Sequence, residues 1–138
     1  MNKSYVLDAC ALIALVKEER GAEIVADLYE EARTSNASLL INIVNLVEVY
    51  YGFRRERGSD YADAILQSVE DSIVEIVGIS RAVVRATGRI KSEYKHISLA
   101  DSIALAEASV RGGVLVTSDH HELDAIDNAG EVEFLWIR

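Results

Sequence analysis

The chain has 138 residues, half of them hydrophobic, with a formal net charge of −9 and a pI near 4.8. That length suits one domain whose core removes about 68% of the unfolded surface from water. The acidic balance excludes a general nucleic-acid coat protein, which needs a basic footprint, but it leaves open a nuclease whose acids hold metal, or a protein with a basic partner segment.

Hydrophobic periodicity divides the chain into alternating strands and helices. Ser4 to Asp8 reads as a short buried strand. Ala11 to Lys17 and Glu23 to Arg33 read as helices, with Gly21 breaking between them. Leu39 to Asn42 is a second strand. Val44 to Arg57 carries Val44, Val47 and Tyr51 at helical spacing, and Gly58 ends it. Tyr61 to Val69 is a helix and Ile73 to Val77 a strand. Helices follow at Ala82 to Tyr94 and Leu99 to Val110, the second closed by Gly112 and Gly113. Val114 to Thr117 is a strand, Glu122 to Asn128 a short helix, and Val132 to Ile137 the last strand. There is no proline, and no repeat, linker or low-complexity segment divides the chain. This alternation predicts an α/β fold with parallel strands covered by helices on both faces.

Ligands of open parallel sheets bind at the carboxyl ends of the strands. Asp8 ends the first strand and Asp119 lies just past Val114 to Thr117, so two acids fall on that edge. Glu48 and Asp101 sit near the starts of two further helices. Each acid also has a plain structural reading. Glu48 follows Asn45 by three, Asp101 follows Ser98 by three, and Glu122 follows Asp119 by three, which is the spacing of a helix capping box. Asp8 in turn could cap the helix after it. The two readings are compatible, because a carboxylate in a first helical turn is rigidly held. If folding gathers the four acids, each pair at ~5 Å repels by roughly 3 kcal/mol at an effective dielectric near 20. Such a pocket attracts a divalent cation. Its oxygen donors, with no accompanying cysteine or histidine cluster, favour Mg²⁺ or Mn²⁺ over zinc.

Other groups carry less chemistry. His96, His120 and His121 lack zinc-motif spacing and read as exposed loop residues. Cys10 reads as a small packed residue, since nothing in the sequence activates it as a nucleophile. Tyr50, Tyr51 and Phe53 read as core or interface contacts, and Trp136 as closing the core around the last strand. Basic residues collect at Arg54, Arg55 and Arg57, and again at Arg81, Arg85, Arg89, Lys91 and Lys95. A single cysteine excludes an internal disulfide and suits a reducing cytoplasm. No apolar run reaches the ~18 residues of a membrane span, and Tyr5-Val6-Leu7, interrupted by Asp8, is no signal-peptide core.

Four segments together resemble the PIN-domain family, and within it the VapC-type toxins of toxin–antitoxin pairs. They are Tyr5-Val6-Leu7-Asp8-Ala9-Cys10-Ala11-Leu12-Ile13-Ala14-Leu15, then Asn45-Leu46-Val47-Glu48-Val49-Tyr50-Tyr51-Gly52, then Ser98-Leu99-Ala100-Asp101-Ser102-Ile103-Ala104-Leu105-Ala106, and last Leu115-Val116-Thr117-Ser118-Asp119-His120-His121-Glu122-Leu123. Each is weak alone; all four in order across one short chain are a strong signal. One departure stands out. Where the family often has a small hydroxyl or amide residue two positions after the first acid, this chain has Cys10, a poorer partner for a hard cation and one that would shift activity down or towards manganese.

The resemblance implies one PIN domain over residues 1–138, with a central parallel sheet of about five strands flanked by helices. It implies a metal-dependent endoribonuclease, the toxin of a VapBC-type pair, that hydrolyses phosphodiester bonds in structured cellular RNA. Asp8, Glu48, Asp101 and Asp119 would be its catalytic and metal-binding residues, holding one or two Mg²⁺ or Mn²⁺ ions, with Asp8 and Asp119 as direct ligands and Glu48 working through water. Thr117 and Ser118 would bond to the ligands, Glu122 and Asp124 would be additional acids, and Arg54, Arg55 and Lys95 would guide the RNA. The implied partners are an RNA substrate, a VapB-type antitoxin that inserts a basic side chain among the acids, and a second copy in a homodimer. No membrane is involved, and the location is cytoplasmic.

Other function classes fit less well. A phosphoaspartate hydrolase needs a second aspartate where Cys10 stands, and a receiver domain needs an acidic pair with a separate phosphoacceptor. A dinucleotide site needs a glycine-rich turn after the first strand. A PIN-like scaffold whose acids only cap helices is the remaining alternative, and it would be indifferent to manganese.

Overall fold

Successive residues of a strand point to opposite faces of its sheet, and here that alternation builds two cores. Leu7, Ile41 and Val116 belong to one and Val6, Leu40 and Leu115 to the other. In the computed structural model, which describes residues 3–34 and 36–138, these side chains come from β1 (Lys3–Leu7), β2 (Ala37–Asn42) and β4 (Val114–Thr117). All four residues of β4 are buried, as befits a parallel strand covered on both sides. Edge strands β3 (Glu75–Val77) and β5 (Glu133–Trp136) complete a five-stranded, all-parallel sheet in the order β3-β2-β1-β4-β5.

Seven helices flank the sheet among the described residues. One face carries α1 (Ala9–Lys17), α2 (Ala22–Arg33), α3 (Ile43–Arg57) and α4 (Ser59–Glu70), whose buried residues join Leu7. The other carries α5 (Arg81–Glu93), α6 (Leu99–Arg111) and α7 (His120–Ala129), packed against Val6. Helix α6 is the most enclosed, with every residue from Asp101 to Ala108 buried. The expected α/β architecture, with about five parallel strands, is therefore the one observed.

Boundaries shift where local chemistry overrides periodicity. Ile73 and Val74 precede the β3 ladder, so that strand is shorter than its hydrophobic run. Ile137 lies past β5, yet its amide still bonds the Thr117 carbonyl at 3.1 Å. Helix α1 begins directly after Asp8, whose side chain accepts from the Ala11 amide. The capping box expected at Asn45 and Glu48 does not exist. Helix α3 starts a turn earlier, capped by Asn42 through the Val44 amide, because the polar residue ending β2 is already in position to bond there.

Two features position the carboxyl edge. The chain runs from β1 outward to β2 and β3, then returns to β4 and β5 on the opposite side. The ends of β1 and β4 therefore form the topological switch point, where connections leave in opposite directions and open a crevice. Asn42, fully buried, also donates to the Glu107 carboxylate of α6 at 2.9 Å, and Arg111 bonds the other oxygen of Glu107 at 2.8 Å. That bridge ties the start of α3 to α6, the two helices that carry Glu48 and Asp101.

Candidate metal centre

The switch point brings together acids from four separate segments. Asp8 ends β1, Asp119 follows β4 by two residues, Asp101 lies in the first turn of α6, and Glu48 lies in the second turn of α3. They surround a cleft of about 540 Å³ lined by Glu48, Asp101 and Asp119, and also by Cys10, Tyr51 and Glu122. One carboxylate oxygen each from Asp101, Asp119 and Glu122 lies within 4.8 Å of the other two. Asp8 is 1% exposed and sits beneath the cleft rather than in its lining.

Local hydrogen bonding explains why these carboxylates are free to face one another. Ser98 caps α6 by accepting from the Asp101 amide at 3.1 Å, and Asp119 caps α7 by accepting from the Glu122 amide at 3.3 Å. In a closed capping box the acid three residues on would bond back to its own cap. Here Glu122 instead accepts from the Ser98 amide at 3.3 Å, and the Asp119 amide donates to the Thr117 hydroxyl at 3.1 Å. Both boxes are open on their return side. Glu122 thereby joins α7 to α6, and the Asp101 carboxyl group is left to the cleft. Thr117 donates to the second oxygen of Asp8, so Asp8, Thr117 and Asp119 form one chain of bonds across the ends of β1 and β4.

Electrostatics follow from this crowding. Burial, countered in part by the bonds from Thr117 and Ala11 and reinforced by Asp119 and Glu48, raises Asp8 to a pKa of about 6. Asp101 is raised by burial first and then by its hydrogen bond to Glu122; Glu122 is lowered by the same bond. Physically, the pair holds one proton on the buried partner and one charge on the more exposed one. Glu48 is raised by burial and then by the charges of Glu122 and Asp119. Cys10, at the cleft wall, is pushed up to about 12 by burial and the surrounding carboxylates, so it is a neutral thiol and no nucleophile.

Hard oxygen donors that repel one another, with His121 the one basic side chain in the cleft lining, fit a divalent cation. Four of the sequence-predicted acids, Glu48, Asp101, Asp119 and Glu122, face this cleft, with Asp8 under it. Asp124 does not: it is turned to His120 Nδ1 at 2.8 Å. Among the basic residues, Arg55 continues the helical face that presents Glu48 and Tyr51 to the cleft, whereas Arg54 lies beside Tyr50 and Arg57 stacks on Tyr61 at 4.3 Å. The role of Glu122 as a bridge between helices has no signal in the sequence, because its partner Ser98 is 24 residues away.

Comparison with known proteins bears on the family and the fold. The PIN domain model matches residues 5–129. No curated protein sequence matches the chain. Among solved structures, the DNA-bound VapBC of Salmonella typhimurium is similar at a TM-score of 0.75 and 19% identity, with 100% of each chain covered. VapBC2 of Rickettsia felis bound to a promoter DNA fragment gives 0.75 and 18%, covering 96% of this chain and 97% of that one. A toxin–antitoxin complex from Klebsiella pneumoniae gives 0.70 and 19%, covering 97% and 98%. At such identities these likenesses speak to the fold alone, while the family match spans nearly the whole sequence. The chain belongs to the PIN domain family.

Proposed function

We propose that this protein is a metal-dependent endoribonuclease, the toxin half of a VapBC-type pair, which hydrolyses RNA phosphodiester bonds with Mg²⁺ or Mn²⁺. The observation that carries this reading is the convergence of Asp101, Asp119 and Glu122 oxygens within 4.8 Å at the sheet's switch point, with Asp8 below and Glu48 beside them. In a protein of this family, that donor set is a cation site with room beside it for a strand.

A divalent cation held there supplies a Lewis acid for the phosphodiester and acidity for a water molecule. The protein's own residues do the rest. Asp101, Asp119 and Glu122 are the candidate direct ligands. Asp8 adds negative charge from below, and its bonds from Ala11 and Thr117 hold it in place. Glu48 acts through water from the α3 side and positions the attacking molecule. Thr117 orients both Asp8 and the backbone of Asp119, so it supports the ligands without touching the cation. To hold a cation, the Asp101–Glu122 pair would have to give up its shared proton, since ligands must be deprotonated.

An antitoxin of VapB type is the natural partner, and its inhibition is read as a basic side chain entering the acidic cleft in place of the cation. Arg55 and Lys95 are placed by this reading along the approach of the RNA, and a second copy of the chain forms the homodimer. The test is to induce the wild type and Asp101→Asn in cells and sequence the resulting RNA ends. Discrete new ends in the wild type only are expected; identical patterns would remove the catalytic claim. Manganese titration of the purified proteins separates the nuclease from a scaffold whose acids merely cap helices: the wild type should bind Mn²⁺ and Asp101→Asn should lose that binding.

A further inference from the structure

Glu122 reaches the cleft from α7, but two of its bonds come from the loop that joins α5 to α6. The Ser98 amide donates to its carboxylate at 3.3 Å, and His96 Nε2 lies 3.3 Å from its carbonyl oxygen. Ser98 also caps α6 by accepting from the Asp101 amide at 3.1 Å. The path of that loop therefore bears on the spacing of two of the three converging carboxylates. What holds the loop is a side chain outside the cleft. Lys91, in the last turn of α5, donates through Nζ to the Ile97 carbonyl at 2.7 Å and to the Lys95 carbonyl at 3.3 Å.

Among the described residues, no backbone amide donates to either of those carbonyls. Ile97 is buried in the core, but apolar burial is non-directional and leaves the turn of the peptide unfixed. The start of α6 is also open towards α5: Leu99 stands 59% exposed beside a groove of about 480 Å³ that it lines together with Lys91 and Ile103. A lysine near a helix C-terminus commonly bonds the last carbonyls of its own helix. Lys91 instead reaches past the end of α5 to the approach to α6. We propose that Lys91 is a positioning residue for the cation site, acting through loop 95–98 on Glu122 and Asp101. This rests on the cation reading above and goes further, because it adds a residue of α5 that does not line the cleft.

The sign of the effect separates this role from the others a lysine could have. By Coulomb's law alone, an ammonium near the acids disfavours a second cation, so removing it would tighten Mn²⁺ binding. A lysine that only stabilised the fold would leave the affinity of the folded protein unchanged. Loss of a positioning residue instead weakens binding, because Ser98 and Glu122 are no longer held at one spacing. Supports of this kind are worth roughly 10–100-fold in metal affinity.

The test combines Mn²⁺ affinity by isothermal titration with exchange of the Ser98 amide by NMR in the metal-free protein. Lys91→Met keeps the length of the side chain and lacks its donors. It should lose roughly tenfold in Mn²⁺ affinity, and its Ser98 amide should exchange faster than in the wild type. Lys91→Arg, which can donate to both carbonyls, should regain most of each. Arg85→Met removes an exposed cation from earlier in the same helix and should bind Mn²⁺ at least as tightly as the wild type. Unchanged or tighter Mn²⁺ binding by folded Lys91→Met overturns the proposal, as does an equal loss in Arg85→Met. Failure of Lys91→Arg to recover affinity overturns it too. If Lys91→Met does not fold, Lys91→Gln carries the same comparison. A wild type that binds no Mn²⁺ refutes the cation reading and the proposal together; a wild type that binds it no more tightly than Lys91→Met refutes the proposal alone.

Discussion

A buried carboxyl group weakens, once ionised, the fold that contains it, and Asp8 is the clearest case. Its folded-state pKa of about 6 lies above the ordinary 3.8, so the folded chain binds the proton more tightly than the unfolded one. The contribution is full below about pH 4 and is lost as the pH rises through 6. In the absence of metal, Asp8→Asn should therefore be more stable than the wild type at pH 8, by up to about 3 kcal/mol, because each tenfold difference in proton affinity is worth roughly 1.4 kcal/mol. The difference should close towards pH 4. The amide suits the site: its oxygen can accept from Ala11, and its nitrogen can donate to Thr117. Thermal unfolding of both proteins across that range in chelator measures this, and a pH-independent difference would show that burial is not what perturbs Asp8. The same exchange should remove most manganese-dependent cleavage.

At the scale of elements, the site depends on how helix starts are tied to one another. Asn42 caps α3 and donates to Glu107, so Asn42→Ala removes a cap and leaves a 3%-exposed carboxylate short of one donor. A loss of about 2–3 kcal/mol is expected from the two effects together, measurable by denaturant unfolding. Gly113, just before β4, is a second dependency. A Cβ there would stand 2.5 Å from the Ser4 carbonyl oxygen on the neighbouring strand, closer than any relaxed contact. Gly113→Ala should force β4 away from β1 and cost about 1–3 kcal/mol. Because those two strands lead into Asp8 and Asp119, manganese affinity should fall along with stability.

For the molecule as a whole, the proposed cation binding would be linked to folding. Carboxylates that repel one another in the metal-free state are relieved by a divalent ion that the unfolded chain does not gather. At a concentration about 100 times its dissociation constant, Mn²⁺ should stabilise the wild type by about 2.7 kcal/mol, seen as a rise in melting temperature that Asp101→Asn lacks. No helix of the described residues is long and apolar enough to cross a membrane.

Much of the fold was legible from local pattern. Buried apolar runs marked the strands, helical spacing marked the helices, and Asp8 and Asp119 stood at strand ends because the apolar runs stop there. Ser98 was correctly placed as a cap, since capping is a short-range interaction. The Asn45 and Glu48 box was misread: spacing alone cannot tell a cap from a buried amide inside the first turn, and Asn42 occupied the cap first. Sequence by itself determined which segments become strands and helices and which acids fall near their ends, because those depend on side-chain period and nearest-neighbour hydrogen bonding. Only the tertiary structure decided that Glu122 bonds Ser98 rather than its own cap, and that Asp8 lies under the cleft while Asp124 turns away. Those outcomes depend on which strand ends are adjacent, and adjacency is set by the packing of the whole sheet.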